Sequence, residues 1–185
     1  MAIREIIEVP DPRLKLVSDP VTEFDADLQT LVDDMFETMY DAPGIGLAAI
    51  QVAVPKRVLV IDLQQPDESA EPIVDENGDE RQPIKNDPRV YINPELFNLS
   101  EDMATYQEGC LSIPEIYGDV LRPASCSVRF QDAKGEWHEE SMDGLLATCL
   151  QHEIDHLNGV LFIDHMSRLK RNMMLKKLKK LRQAA

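Results

Sequence analysis

The stretch Gln151-His152-Glu153-Ile154-Asp155-His156-Leu157 constrains this chain more than any other. On a helix, His-Glu-x-x-His sets two imidazoles at i and i+4, on one face, and one turn rises about 5.4 Å. Both side chains can then converge on one divalent ion, while Glu153, beside His152, can reach a water bound to it. An amphipathic helix with solvated histidines would carry the same letters, so the rest of the chain has to decide. Asp143-Gly144 can start the helix, Leu145, Leu146, Cys149, Ile154 and Leu157 give it an apolar side, and Asn158-Gly159 can stop it. Two histidines, Glu153 and Asp155 within so apolar a helix are costly to bury unless paired or coordinated, which favours the metal.

The three cysteines, Cys110, Cys126 and Cys149, are too few and odd in number for a disulfide framework. Any special cysteine is therefore a ligand or nucleophile, although a lone cysteine is commonly a small buried hydrophobe. With 185 residues, 43% hydrophobic and 29% charged, one globular domain is expected, and neither metal nor disulfide is needed to fold it. Residues 1–16 lack the apolar core of a signal peptide and no long apolar run follows, so the expected location is the cytoplasm, with no membrane association. The net charge of -15 speaks against DNA and against a generally nucleic-acid-binding surface. The last twenty residues have the opposite sign: eight basic residues from Arg168 to Arg182 and no acidic ones.

Along the chain, residues 3–22 carry Pro10, Pro12 and Pro20 and predict extended structure. Leu28, Leu31, Val32, Met35, Phe36 and Met39 fall at helical spacing, with Asp25 or Asp27 to cap the start and Pro43-Gly44 to end the run. Gly44-Ile45-Gly46-Leu47-Ala48-Ala49-Ile50-Gln51 lacks the spacing of a phosphate loop, and its small residues permit close approach of a strand or ligand. Residues 58–63 predict a buried strand. Residues 64–88 hold eight acidic and two basic residues with four prolines and are read as a mobile surface loop, with Asn77-Gly78 as a conceivable hairpin tip. Residues 91–94 suggest a strand ending at a turn, and residues 122–130 and 136–141 a hairpin with Cys126 in its core.

Three separated stretches, GIGLAAIQ at 44–51, EGCLS at 108–112 and QHEIDHLNG at 151–159, resemble the signatures of the peptide deformylases, in that family's order. The likeness extends to Asp11-Pro12-Arg13-Leu14, to residues 32–39 and to residues 91–95, and so covers most of the chain except the acidic segment. The resemblance implies an α+β fold: a single domain of antiparallel sheets around a central helix bearing the His-Glu-x-x-His motif, closed by a C-terminal helix. It implies a catalytic region at 1–165, with 64–88 as an acidic surface insertion, and a basic helix at 166–185. The implied activity is removal of the formyl group from N-terminal formylmethionine of nascent polypeptides, with release of formate.

By the same resemblance Cys110, His152 and His156 are the ligands, which leaves a tetrahedral ion one position for water. The ion implied is Fe(II), with zinc, nickel or cobalt as substitutes; a Cys/His/His set alone would have indicated zinc. Glu153 is the implied base and then acid, and the Gln51 side-chain amide and Leu111 N–H the implied oxyanion donors. Gly44 and Gly46 would admit the substrate as an added strand, Glu108 and Gly109 would border it, and Ile45, Leu145 and Cys149 would line a methionine pocket. Tyr106, Thr148 and Tyr117 depart from the commoner family residues, and Asp155 can orient a ligand histidine or pair with Arg122. The basic tail, read as an amphipathic helix over 167–183, is expected to face ribosomal RNA, as in related enzymes, with membrane-surface binding or no partner as the alternatives. The competing readings are a zinc peptidase, which Cys110 as third ligand opposes, and a ribosome-associated protein with a degenerate site, which the retained Glu153 opposes.

Overall fold

Val58 to Ile61 is apolar on both faces of the sheet because a helix covers each face. The computed structural model describes residues 2–184. Helix α1 (Ala26–Asp41) begins at Asp25, whose carboxylate accepts from Leu28 N–H at 3.0 Å. Eleven strands follow: β1 (Gly46–Ala48), β2 (Val58–Ile61), β3 (Gln65–Pro66), β4 (Ile73–Val74), β5 (Glu80–Arg81), β6 (Ile84–Lys85), β7 (Arg89–Phe97), β8 (Met103–Cys110), β9 (Ile113–Pro123), β10 (Ser125–Gln131) and β11 (Trp137–Asp143). Helices α2 (Gly144–Leu157) and α3 (Arg168–Ala184) complete the chain.

Five strands form an antiparallel sheet in the order β1-β2-β7-β10-β11. Since side chains alternate along a strand, Val58 and Val60 join Leu28, Val32, Met35 and Met39 of α1, while Leu59 and Ile61 join Leu150, Ile154 and Leu157 of α2. Burial of each such aliphatic side chain contributes about 1.5–3 kcal/mol, so the motif helix is anchored by its apolar side and cannot turn its polar side to solvent. A separate hairpin, β8–β9, packs Ile113, Ile116 and Val120 with Phe162 and Leu178, which seats the C-terminal helix. The fold is thus α+β, a single domain, with the motif helix central and α3 at its end.

Several local expectations change. Residues 64–88, expected as a surface loop with room for some strand pairing, form a nested hairpin: β3 pairs with β6 and β4 with β5. Its tip is the expected one, since Asp75 O accepts from Gly78 N–H at 3.0 Å and Gly78 has φ +86°. Each ladder is only two residues long, so no alternation announces it. The strand through Tyr91 does not end at Pro94; Asn93, at φ +50°, lets it continue to Phe97 with a register shift against β10. Arg122 belongs to β9, and the following hairpin begins at Ser125. In α3, Leu178 is buried and Leu181 partly so, but Leu169 and Met173 are exposed, so the four apolar positions do not share one buried side.

Candidate metal centre and peptide cleft

Helix α2 presents His152 and His156 side by side, with Nε2 atoms 3.2 Å apart. Cys110 arrives from the end of β8, where pairing with β9 breaks register between Gly109 and Cys110. Its Sγ lies 3.3 Å from His156 Nε2. The three donor atoms sit within 4.8 Å of one another. Two nitrogens and one sulfur at ordinary zinc-like bond lengths around a tetrahedral centre are about 3.4–3.6 Å apart. The donor set therefore fits one ion with little rearrangement.

His152 is the ligand held from behind, whereas His156 Nδ1 is buried with no hydrogen-bond partner among the described residues. His152 Nδ1 bonds Glu108 Oε1 at 2.8 Å, which aims Nε2 at the other donors. Glu108 in turn accepts both prongs of Arg122, at 2.7 and 2.9 Å, and Arg122 reaches Asp155 at 2.8 Å. Asp155 also bonds His165 Nε2 at 2.7 Å. Burial pushes the Glu108 carboxyl up, but Arg122 and His152 outweigh it and bring it down to about 2. Burial drives the His156 ring well down, so it stays neutral with a lone pair for a ligand. For His152, burial opposes the charge while Cys110 and Glu108 favour it, and the balance is upward.

Glu153 is buried, with Oε1 4.0 Å from His152 Nε2, and its Oε2 has no hydrogen-bond partner among the described residues. Burial raises its carboxyl to about 7, against the lowering from His152. Gln51 comes from the 3-10 turn Ala49–Val52; its Oε1 accepts from Ala48 N–H at 2.9 Å. That bond fixes the amide so that Nε2 donates to Ser112 Oγ at 3.1 Å and lies 3.5 Å from Cys110 Sγ.

These groups open on a cleft of about 450 Å³. Gly44, Ile45, Gly46, Gln51, Glu108, Gly109, Cys110, Leu111, Leu145, Cys149, His152 and Glu153 all line it, as do Tyr106, Tyr117 and Thr148. His156 lies behind, fully buried. Gly46 has to be glycine for space: a Cβ there would stand 2.6 Å from Glu153 Oε1 and 3.0 Å from Cys149 Sγ. Burial pushes the Cys149 thiol well up, so it acts as a small apolar wall. Tyr117 lays its ring against Gly109. Glu108, expected to border the substrate, turns its carboxylate away to Arg122 and His152. Ser112 and His165 were not foreseen; Ser112 falls within the EGCLS match, whereas His165 carries no local signal.

A thiol and two imidazoles beside a buried carboxylate, in an α+β domain, define a candidate metal-dependent hydrolase. The family model for polypeptide deformylase matches residues 3–172. Peptide deformylases from Erythrobacter litoralis and Novosphingobium aromaticivorans are 67% and 69% identical to this chain, each over the whole of both chains. The crystal structure of a peptide deformylase from Legionella pneumophila superimposes with a TM-score of 0.82 at 44% identity, covering 99% of this chain and 97% of that one. The Ehrlichia chaffeensis enzyme in complex with actinonin gives 0.83 at 40% identity, over 97% and 98%.

The chain belongs to the polypeptide deformylase family. It is an enzyme that hydrolyses the N-formyl group from the N-terminal formylmethionine of newly synthesised polypeptides and releases formate, in a family that depends on a metal. Among the described residues no helix is long and apolar enough to cross a membrane.

Proposed function

We propose that this chain performs the hydrolysis with Cys110, His152 and His156 as the metal ligands and Glu153 as the single proton carrier. The observation that carries the reading is the Glu153 carboxylate, buried beside the donor triad with one oxygen free of partners. Held by Cys110, His152 and His156, a divalent ion would supply Lewis acidity to the formyl carbonyl and to the attacking water. Glu153 Oε2 takes the proton from the attacking water and hands it to the departing amine nitrogen as the C–N bond breaks. Gln51 Nε2 and the Leu111 N–H donate to the carbonyl oxygen as negative charge grows on it. Gln51 is suited to this because Ala48 and Ser112 hold its amide in place, while its other N–H makes only a long contact, 3.5 Å, to Cys110 Sγ that the carbonyl oxygen would replace.

Gly44 and Gly46 give the peptide backbone room beside β1, with Gly109 on the facing wall and Glu108 acting through His152. Ile45, Leu145 and Cys149 shape the methionine pocket, and Tyr106 and Thr148 line the same cleft. The ion read here is Fe(II), from the family likeness; the donor set serves zinc, nickel or cobalt as well. The catalytic unit is residues 1–165 and the enzyme acts in the cytoplasm. The basic tail at 166–185, helical over Arg168–Ala184, is the ribosome-facing element: Arg171 and Arg182 are tied to Asp164 and Glu8, while Lys170, Lys176, Lys177, Lys179 and Lys180 are exposed and available to phosphates.

Anaerobic purification with metal analysis, then a formate-release assay on a formyl-Met tripeptide, tests the site. Iron at one equivalent with formate release supports it; cleavage of internal peptide bonds without formate would refute it. Salt-sensitive co-sedimentation with ribosomes, lost on deletion of Lys170–Ala185, tests the tail.

A further inference from the structure

Strand β1 is an outer strand, paired to β2 on one side only, and its Gly44–Gly46 approach borders the catalytic cleft. A peptide laid along that free edge with its formyl end near Gln51 and Cys110 leaves past Gly46 and then Gly44. There it meets Gln64, whose Nε2 donates to Gly44 O at 2.9 Å. On the far side of that contact lies a second cleft of about 630 Å³, between the base of the acidic hairpin and the junction of β11 with α2. Gln64, Gln65, Lys85 and Arg89 form one wall, and Glu140 and Leu145 belong to the other. Leu145 also lines the catalytic cleft, so the two are neighbours across one side chain.

The hairpin wall is fastened in place. Asp62, fully buried, accepts from Tyr40 Oη at 2.6 Å, Asn86 Nδ2 at 3.1 Å, and the N–H groups of Gln64 and Asp87 at 3.0 and 3.1 Å. One carboxylate therefore ties both legs of the hairpin to α1, and the second cleft exists before any ligand arrives. We propose that this cleft binds the downstream part of the formylated polypeptide, beyond its first three residues, and prefers basic side chains there. The charge preference follows because Arg89 is already paired with Asp87 at 2.8 Å and Glu140 at 3.2 Å. The cleft is lined by Asp87, Glu140 and Asp143 against Lys85 and Arg89, so Lys85 is the lining cation left to oppose Asp143. The proposal rests on the substrate orientation given above.

The test compares kcat/KM for a formyl-Met tripeptide with that for formyl-Met hexapeptides bearing Lys-Lys-Lys or Glu-Glu-Glu at positions four to six. For the native chain the Lys hexapeptide is expected to exceed the tripeptide by about five-fold, the worth of one or two new hydrogen bonds or ion pairs. Gln65→Trp, at an exposed position on the cleft wall, should abolish that gain while the tripeptide rate stays unchanged. Lys85→Glu should widen the ratio of Lys to Glu hexapeptides. Equal rates for tripeptide and Lys hexapeptide in the native chain, or a gain that survives Gln65→Trp, would overturn the proposal; a ratio unmoved by Lys85→Glu would overturn its charge preference. Absence of tripeptide turnover in the native, metal-loaded chain would instead count against the catalytic reading.

Discussion

Two buried carboxylates, Glu108 beside the metal ligands and Asp62 at the foot of the acidic hairpin, are satisfied in different ways. Glu108, behind the metal side, faces a guanidinium and an imidazole; Asp62, at the foot of the hairpin, faces a phenol, an amide and two backbone N–H groups. The first arrangement concentrates charge next to a ligand and fixes where His152 points. The second uses neutral donors and fixes only where a chain segment begins and ends. A region that must hold an ion is built from charges that fail badly when one is removed. A region that must position a peptide-facing arm is built from contacts that fail one at a time.

Arg122→Met should break this contrast most severely. It leaves Glu108 and Asp155 without their cation, with an expected loss of about 3–5 kcal/mol in urea unfolding and weaker metal retention on dialysis against a chelator. Asp62→Asn comes next: its oxygen can stay with the Gln64 and Asp87 N–H groups, but its amide then puts a donor where Tyr40 Oη and Asn86 Nδ2 need an acceptor, for an expected loss of about 1–3 kcal/mol with metal content unchanged. This variant also carries a pH signature. Burial raises the Asp62 carboxyl, but its hydrogen bonds from Tyr40 and the hairpin outweigh it and lower it below the usual 3.8. Its contribution is therefore present above pH 3.8 and fades as pH falls through the depressed value, so acid unfolding of the native chain should lose that share and Asp62→Asn should not.

Gly46→Ala, by contrast, should leave stability within about 1 kcal/mol but lower kcat/KM by about ten-fold or more, because the new Cβ displaces the Glu153 carboxylate. The smallest effect is expected at the tip. Asn77→Ala, exposed and far from both carboxylates, should change the unfolding free energy by no more than about 0.5 kcal/mol.

The motif helix was legible because its polar residues recur at i and i+4 within an apolar run with a stop signal at Asn158-Gly159. Gln51 and Cys110 were legible only through their family-like surroundings; composition and period treat them as an amide and a small hydrophobe. The chain Glu108–Arg122–Asp155–His165 was mostly hidden, since its members lie 14, 33 and 10 positions apart, which matches no helix or strand period. Arg122 and Asp155 could be suspected as a pair, but not that Glu108 joins them to a histidine. The hairpin at 64–88 was half visible: Asn77-Gly78 marks the tip, while two-residue ladders and the Asp62 anchor leave no pattern.

The account turns on Glu153 moving the proton while Cys110, His152 and His156 hold the ion. The most direct measurement is formate release by Glu153→Gln, with its bound metal quantified in the same sample. The account predicts a full equivalent of metal, native unfolding behaviour and a kcat reduced by about 10³-fold or more. Turnover near the native rate with the metal retained would contradict it.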